Sequence, residues 1–162
     1  MQDAPEHMAT DMLQLRAATA DEAPEILALM MRVLRASLRA EPPAVREEMA
    51  HNVRRNLEIW LAAPQDSVHL VALEGGRIVG VVLVKECWNL CSLFVETRCQ
   101  GRGLGRRLVE AAVAACRGRS PRQALCLNAA PTAIAFYQRL GFVDRATAQA
   151  LPTGFKALQR PL

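Results

Sequence analysis

The chain has few aromatic residues: phenylalanine, tryptophan and tyrosine together make up 4% of its 162 residues. Aromatic side chains are the surfaces on which unpaired bases stack in proteins that bind single-stranded nucleic acid. The formal net charge is +4, and it comes mostly from arginines that are scattered along the chain. A basic nucleic-acid binder is therefore an alternative that the charge allows and the aromatic content disfavours. A surface that attracts a polyanionic ligand explains the charge as well.

Patterns typical of metal ligands are also missing from the sequence. The five cysteines have no Cys-x-x-Cys spacing, and the three histidines do not cluster with them. We therefore predict no metal site, and thiols that stay reduced, as is usual in the cytoplasm. Cys99 precedes a predicted helix and lies among arginines, an environment that favours a thiolate. Because no histidine lies near it in sequence to act as its base, we do not predict a catalytic cysteine.

Long apolar runs are missing too. None approaches the ~20 residues that a membrane-spanning helix needs, and the polar first residues lack the apolar core of a signal peptide. We therefore expect a cytoplasmic protein that does not insert into a membrane. Hydrophobic residues make up 51% of the chain and charged residues 22%, which is ordinary for a globular protein. We expect a flexible leader over residues 1–12 and a single domain over residues 13–162.

A glycine-rich segment separates an apolar run, residues 90–95, from a helical pattern that begins at Leu104. Three glycines stand at alternate positions: Gly101, Gly103 and Gly105. Glycine has no Cβ, so a ligand can approach the backbone N–H groups closely. Those groups and the positive end of a helix dipole suit a phosphate or pyrophosphate. Three arginines add positive charge: Arg102, Arg106 and Arg107. The segment predicts a phosphate-binding loop, with a plain strand-to-helix turn as the alternative.

The loop differs from two common phosphate-binding motifs. A P-loop needs Lys followed by Ser or Thr after its second glycine, and a dinucleotide fingerprint needs a third glycine where this chain has Arg106. The segment does satisfy Gln-x-x-Gly-x-Gly, with Gln100, Gly103 and Gly105. In this it resembles the acyl-CoA loop of the GNAT superfamily of N-acetyltransferases.

A second segment, residues 125–142, combines a strand pattern, a short helical pattern and a Gly-Phe pair. Pro131 suits the first turn of a helix, where its missing N–H costs nothing, and Gly141 suits the left-handed position after the last turn. Ile134, Tyr137 and Leu140 recur at helical spacing, which predicts an inward face. The segment resembles the second GNAT signature, in which Phe/Leu-Tyr ends a short helix before Gly-Phe. Without that resemblance, Tyr137 is interpreted as a core aromatic residue with a hydrated hydroxyl.

Hydrophobic periodicity predicts the other elements. Strands are expected at 13–16, 68–73, 78–85, 88–95, 124–128, 142–145 and 155–158. Helices are expected from 19 or 21 to 38, at 45–61, at 104–117 and around Tyr137. The strand after the loop helix would close a right-handed β-α-β unit. This order resembles the GNAT fold over nearly the whole chain. The expected fold class is α+β, with a central mixed, splayed sheet flanked by about four helices.

The resemblance implies an N-acetyltransferase that uses acetyl-CoA as its donor. The cofactor-binding residues that it implies in the loop are Gln100, Gly101, Arg102, Gly103, Leu104, Gly105 and Arg106, with the pyrophosphate on the amides of residues 101–106. The pantetheine arm would pair with the backbone of Phe94 and Val95 as an added strand, and Asn128 would hydrogen-bond its amides. Strand-edge N–H groups would polarise the thioester carbonyl. Tyr137 would be the catalytic general acid that protonates the leaving sulfur.

The chain departs from the family pattern at two positions. Many members have Asn where this chain has Ala130, so one cofactor contact is lost or passes to Asn128. Some members have Glu eleven residues before the loop glutamine, where this chain has Asn89, which takes up no proton at neutral pH. Glu86 and Glu96 flank this strand, but both are better interpreted as solvated surface charges. A water relay, or an amine that arrives neutral, could replace the base.

The acceptor is not identified by the sequence. In this fold the first two helices and nearby loops select it, and residues 22–64 here mix arginine and glutamate as a solvated face does. We expect a primary amine, of a small molecule or a protein, to attack directly in a ternary complex. A homodimer is compatible with the sequence, and so is another acyl-CoA donor. The alternative is a non-catalytic acyl-CoA-binding sensor or interaction module, which the missing base allows.

Overall fold

The computed structural model describes residues 12–162. The predicted leader, residues 1–12, thus falls outside the described residues except for its last residue. The strands are β1 (Gln14–Ala17), β2 (Val68–Glu74), β3 (Arg77–Lys85), β4 (Asn89–Val95), β5 (Ala124–Ala129), β6 (Val143–Asp144) and β7 (Lys156–Pro161). The helices are α1 (Ala23–Ser37), α2 (Pro43–Ala62), α3 (Leu104–Cys116) and α4 (Ile134–Arg139). Their order agrees with the predicted order along the whole described chain.

All seven described strands form one sheet in the order β1-β2-β3-β4-β5-β7-β6. Neighbouring strands are antiparallel except β4 and β5, which are parallel and joined through α3. The sheet is therefore mixed, and with its helices it confirms the predicted α+β class. The last strand of the chain, β7, lies between β5 and β6 and pairs with both.

Two apolar cores lie on opposite faces of the sheet. One contains α1 and α2 side chains packed against β2 and β3, with Ile26, Leu29, Met30, Trp60 and Val81 among its buried members. The other contains α3 and the region around α4, with Leu108, Val109, Leu125, Phe142 and Leu158 buried. Each helix thus contributes one apolar face, as its periodicity predicted.

The Gly75-Gly76 turn forms the predicted hairpin between β2 and β3. Both glycines have positive φ angles, 57° and 76°, and Glu74 pairs with Arg77 across the turn. Two residues with positive φ form the tight connection whose twist matches that of paired strands. The hairpin positions β3 in the middle of the sheet, where its interior residues are buried on both faces.

The parallel strands β4 and β5 separate soon after they meet. Their pairing is confined to Asn89 and Cys126, where the Cys126 N–H donates to the Trp88 carbonyl at 2.7 Å. Beyond this point β4 stays paired with β3, while β5 pairs with β7. The sheet is therefore splayed, as predicted, and the β4 backbone that faces the gap has no strand partner among the described residues.

The short helix α4 begins at Ile134, three residues later than Pro131 suggested. Pro131 instead occupies the second position of a turn in which the Ala133 N–H donates to the Ala130 carbonyl at 2.9 Å. The fixed φ of proline suits that position as well as it suits a helix start. Gly141 follows α4 with a φ of 87°, which confirms its predicted role at the helix end.

Candidate active site

A side-chain hydrogen bond joins the loop between β4 and α3 to the end of β4. A 3-10 turn, Thr97–Cys99, follows the strand, and the side-chain amide of Gln100 then donates to the Val95 carbonyl at 3.0 Å. This hydrogen bond joins the first residue of the Gln-x-x-Gly-x-Gly motif to the strand that the motif follows. The loop therefore has a defined position relative to the backbone edge of β4.

The loop glycines leave open space in front of the α3 N-terminus. Gly101 and Gly103 have φ angles of 77° and 78°, and a Cβ added to either would meet no heavy atom within 4 Å. Gly105 is different, because a Cβ there would lie 3.4 Å from Phe136 Cζ, so this glycine allows α3 to approach α4. The first N–H groups of a helix have no partner inside it and suit an anion. We call the open space bounded by Gly101, Gly103 and the first turn of α3 the cradle. Its chemistry suits an anion such as a pyrophosphate.

The arginines around the loop have different roles. Arg98 and Arg102 each donate to the Glu74 carboxylate at 3.1 Å, and these bonds, led by that from Arg98, hold the pKa of Glu74 below its usual value. Arg102 is thus directed to the hairpin of β2 and β3 rather than to the open side of the loop. Arg106 lines the open side, and no described carboxylate forms a salt bridge with it. Arg106 therefore adds positive charge to the open side of the loop.

A cleft of about 580 Å³ runs from this loop along β4 to α4. It brings together most of the residues that the sequence singled out: Phe94, Val95, Gln100, Gly101, Gly103, Leu104, Gly105, Arg106 and Tyr137. Two α1 residues, Val33 and Ser37, complete one wall. Sequence reasoning missed both, because nothing in an amphipathic pattern tells which residue of α1 reaches a distant strand. The unpaired backbone edge of β4 in this cleft can hydrogen-bond the amide groups of an extended ligand, as an added strand would.

Tyr137 lies at the α4 side of the cleft with its ring packed in the core. It is 8% exposed, and its ring makes edge-to-face contacts with Phe136 and Phe142 at centroid distances of 5.1 and 5.4 Å. Burial raises the pKa of Tyr137 above its ordinary value, so the phenol is protonated at neutral pH. A protonated hydroxyl beside the cleft can donate a proton or a hydrogen bond.

Asn128 lies elsewhere. Its side chain is exposed between the buried residues Leu127 and Ala129, since alternate residues of a strand face opposite sides. Its Oδ1 accepts a hydrogen bond from Arg145 Nη2 at 3.4 Å, and both residues line a separate polar pocket that also includes Asn89. The structure therefore does not bring the Asn128 side chain into the cleft with the loop, and its predicted contact with pantetheine stays a prediction.

No carboxylate or histidine of the described chain lines the cleft. Glu96 pairs with Arg32 of α1 at 2.9 Å, and Glu86 accepts a hydrogen bond from the Trp88 indole at 2.8 Å. Cys99 borders the cleft, but the residue is fully buried and its Sγ lies 3.8 Å from a Glu74 carboxylate oxygen. The arrangement offers an anion cradle, a free strand edge and a proton donor, without an ionisable base beside them.

Residues 12–162 contain no group of three or more histidine, cysteine or acidic residues arranged to hold a metal ion. Within the same residues, no helix has the length and hydropathy needed to cross a membrane.

Comparison with known proteins agrees with this geometry. Residues 40–158 match the family model described as the acetyltransferase (GNAT) domain. No curated protein matches the chain significantly in sequence.

Solved structures show the same fold at full length. A GCN5-related N-acetyltransferase from Rhodopseudomonas palustris superposes with a TM-score of 0.74 at 19% identity, covering 96% of this chain and 99% of the other. The PaiA N-acetyltransferase of Thermoplasma acidophilum, solved in complex with coenzyme A, gives 0.74 at 11% identity, covering 93% and 99%. An acetyltransferase from Thermus thermophilus gives 0.65 at 26% identity, covering 96% and 100%. With a family match over most of its length, this chain belongs to the GNAT family of acetyltransferases.

Proposed function

We propose that this protein is an acetyl-CoA-dependent N-acetyltransferase that moves an acetyl group to a primary amine by direct attack in a ternary complex. The supporting observation is one cleft that joins the open glycine cradle, the unpaired edge of β4 and the Tyr137 hydroxyl. We place the activity in the cytoplasm, where the five unpaired cysteines would stay reduced.

The donor supplies a thioester carbonyl and a thiolate leaving group. The amine nitrogen forms a bond to the carbonyl carbon, the carbon–sulfur bond breaks, and sulfur leaves with the electron pair. The amine loses one proton, and the sulfur gains one. The protein must therefore hold the donor, stabilise negative charge on the carbonyl oxygen and supply a proton at the sulfur.

Each task has a group in the cleft that suits it. The N–H groups at the start of α3 and the Arg106 guanidinium would hold the pyrophosphate. Backbone groups of Phe94 and Val95 would pair with the amides of the pantetheine arm, and a β4 N–H would donate to the carbonyl oxygen. Tyr137, which burial keeps protonated, would donate its proton toward the sulfur and be reprotonated from solvent.

Removal of the amine proton has no dedicated residue in this cleft. Asn89 cannot accept a proton, and the flanking carboxylates of Glu86 and Glu96 are engaged by Trp88 and Arg32. The amine would therefore lose its proton to water before it attacks. The rate should then rise with pH until the amine of the acceptor is neutral.

A screen for the acceptor tests the proposal. The purified protein is mixed with acetyl-CoA and a panel of small amines and peptides, and thiol release is measured against a sample without acceptor. Acceptor-dependent release, with an N-acetylated product identified by mass spectrometry, is the expected result. Propionyl- and succinyl-CoA in the same screen decide whether acetyl is the preferred group.

The alternative is an acyl-CoA-binding sensor or interaction module. The cleft favours it in one respect, because no carboxylate or histidine of the described chain lines it. This alternative predicts tight acetyl-CoA binding by calorimetry with no acceptor-dependent thiol release across the whole panel. A single acetylated amine would exclude it.

A further inference from the structure

A second pocket, of about 270 Å³, opens at the point where β4 and β5 part. Its polar lining residues are Asn89, Arg122, Asn128, Arg145, Thr147 and Gln149. We call it the arginine pocket. It draws on the start of β4, on β5 and on the segments that flank β5 and β6, so several parts of the chain converge there.

The arginine pocket carries uncompensated positive charge. No acidic residue lines it, and neither Arg122 nor Arg145 forms a salt bridge with any described carboxylate. An unpaired guanidinium in a concave site attracts an anion and offers several N–H donors to it. With Asn89 and Asn128 beside them, the two arginines make a site suited to a carboxylate or phosphate.

Both arginines are held in place by neighbours. The Arg122 guanidinium lies over the Trp88 ring, 3.3 Å from its centroid. Arg145 donates through Nη2 to Asn128, while its Nε is shielded from solvent and has no partner among the described residues. The solvent-facing N–H groups of the two guanidinium groups are the donors that a ligand in the pocket would meet.

The arginine pocket is close to the cleft along the chain. Asn89 borders the pocket and Leu93 borders the cleft, and at about 3.3 Å per residue these positions on β4 are roughly 13 Å apart. An acceptor anchored in the pocket would need a reach of about that length along β4 to present its amine to the cleft.

We propose that the arginine pocket binds an anionic group of the acceptor, so that the preferred acceptor is an amine that also carries a carboxylate or phosphate. This inference rests on the proposed acetyltransferase function and specifies its substrate class. Arg122 and Arg145 act as specificity residues that hold the anion, while the amine at the other end of the molecule faces the cleft.

Matched pairs of acceptors test this specificity. The panel contains amino acids with the amines that their decarboxylation yields, such as lysine with cadaverine, and phosphoethanolamine with ethanolamine. The acceptor kcat/KM is expected to be roughly 10- to 100-fold higher for the anionic member, the usual range for hydrogen bonds to a charged group. The amino-acid and phosphate pairs distinguish the two anions. Equal efficiency within every pair that is acetylated would overturn the inference while leaving the acetyltransferase function intact.

Substitutions test whether Arg122 and Arg145 cause the preference for anionic acceptors. In the double variant Arg122→Gln/Arg145→Gln, KM for the anionic acceptor should rise by the same roughly 10- to 100-fold, while the affinity for acetyl-CoA and the rate with the uncharged amine stay unchanged. Arg77→Gln, at an exposed arginine of the β2–β3 hairpin, is the matched control and should change none of these values. A preference that survives in the double variant would also overturn the inference.

A binding measurement covers the case in which no amine is acetylated. Nε-acetyllysine and N-acetylcadaverine differ only in the carboxylate, and calorimetry in the presence of coenzyme A compares their affinities for the wild type and the double variant. Selective binding of Nε-acetyllysine that the double variant loses would support the pocket even if turnover fails. Equal binding of both compounds by both proteins would contradict it.

Discussion

The side-chain amide of Gln100 donates to the Val95 carbonyl at 3.0 Å and closes the loop onto the strand that precedes it. Between these two residues the chain makes the Thr97–Cys99 turn and reverses toward α3. Together with the backbone hydrogen bonds from Cys99 to Glu96 and from Gln100 to Thr97, this bond fixes the position of the loop relative to the free edge of β4. In the proposed function, one ligand contacts both parts, so their separation matters for binding.

Gln100→Ala should weaken acetyl-CoA binding without unfolding the protein. The net contribution of one neutral hydrogen bond is about 0.5–1.5 kcal/mol, so Kd should rise by roughly 2- to 10-fold. Calorimetry measures the affinity, and thermal unfolding checks the fold. Gln14→Ala, at an exposed position of β1, is the control and should bind like the wild type. Unchanged affinity in Gln100→Ala would show that the loop keeps its position without this bond.

Gly103→Val tests the cradle, and Gly76→Val supplies a matched control. Both glycines have nearly the same φ, 78° and 76°, and both face open space, but only Gly103 precedes α3 in the loop. A side chain with positive φ costs about 1–2 kcal/mol, so both variants should lose similar stability. Only Gly103→Val should lose acetyl-CoA affinity, by at least about tenfold, because its side chain occupies the space in front of the N–H groups. Equal affinities for the two variants would refute the assignment of the cradle.

Much of the fold could be predicted because its signals are local. The Gly75-Gly76 hairpin, the helical periodicities and the helix end at Gly141 each depend on residues a few positions apart. The start of α4 could not be predicted as well, because Pro131 suits a turn and a helix start equally. The position of β7 between β5 and β6 is set by pairing over long sequence separations, which no local pattern records.

The candidate site was predicted less completely than the fold. The loop glycines and Tyr137 were found because a motif places them. The pairing of Arg102 with Glu74 was missed, since it joins residues 28 positions apart. Whether the Asn128 side chain lies on the α3 face of the sheet depends on the register of β5. Pairing with β7 sets that register, and no local pattern in the sequence records it. Val33 and Ser37 reach the cleft only through the packing of α1 on the sheet.

His69 should make the free energy of unfolding depend on pH between about 4 and 6.5, mostly above the pH at which carboxylates titrate. Its ring is 4% exposed, packs perpendicular to the Trp60 ring at 4.3 Å, and has no hydrogen-bond partner at either nitrogen among the described residues. Burial lowers the pKa of His69 to about 4, from 6.5. The unfolded chain therefore takes up a proton as pH falls below 6.5, while the native state does not until about pH 4. Stability is complete above this window and falls through it, by at most about 3 kcal/mol.

Denaturant unfolding at several pH values between 7 and 4 measures this effect. His69→Leu removes the titrating ring from an apolar site, so its free energy of unfolding should change much less between pH 6.5 and 4.5. The carboxylates whose pKa is lowered, Glu22, Glu74 and Glu110, contribute only below their ordinary value of 4.5. His51→Leu, at an exposed position of α2, should keep the wild-type pH dependence. The explanation fails if His69→Leu keeps it as well.

Tyr137→Phe tests the proposed proton donor. The variant keeps the ring that contacts Phe136 and Phe142, so thermal stability and acetyl-CoA affinity should change little. It removes the hydroxyl, and a general acid of this kind contributes roughly a hundredfold or more to the rate. Because burial raises the pKa of the phenol, the wild type keeps its proton from pH 6 to 9, and the loss should be similar at each pH. Single-turnover acetyl transfer with an identified acceptor reports this step even when product release limits the steady state. Equal single-turnover rates for the two proteins would leave Tyr137 as a packing residue and make water the proton donor to the sulfur.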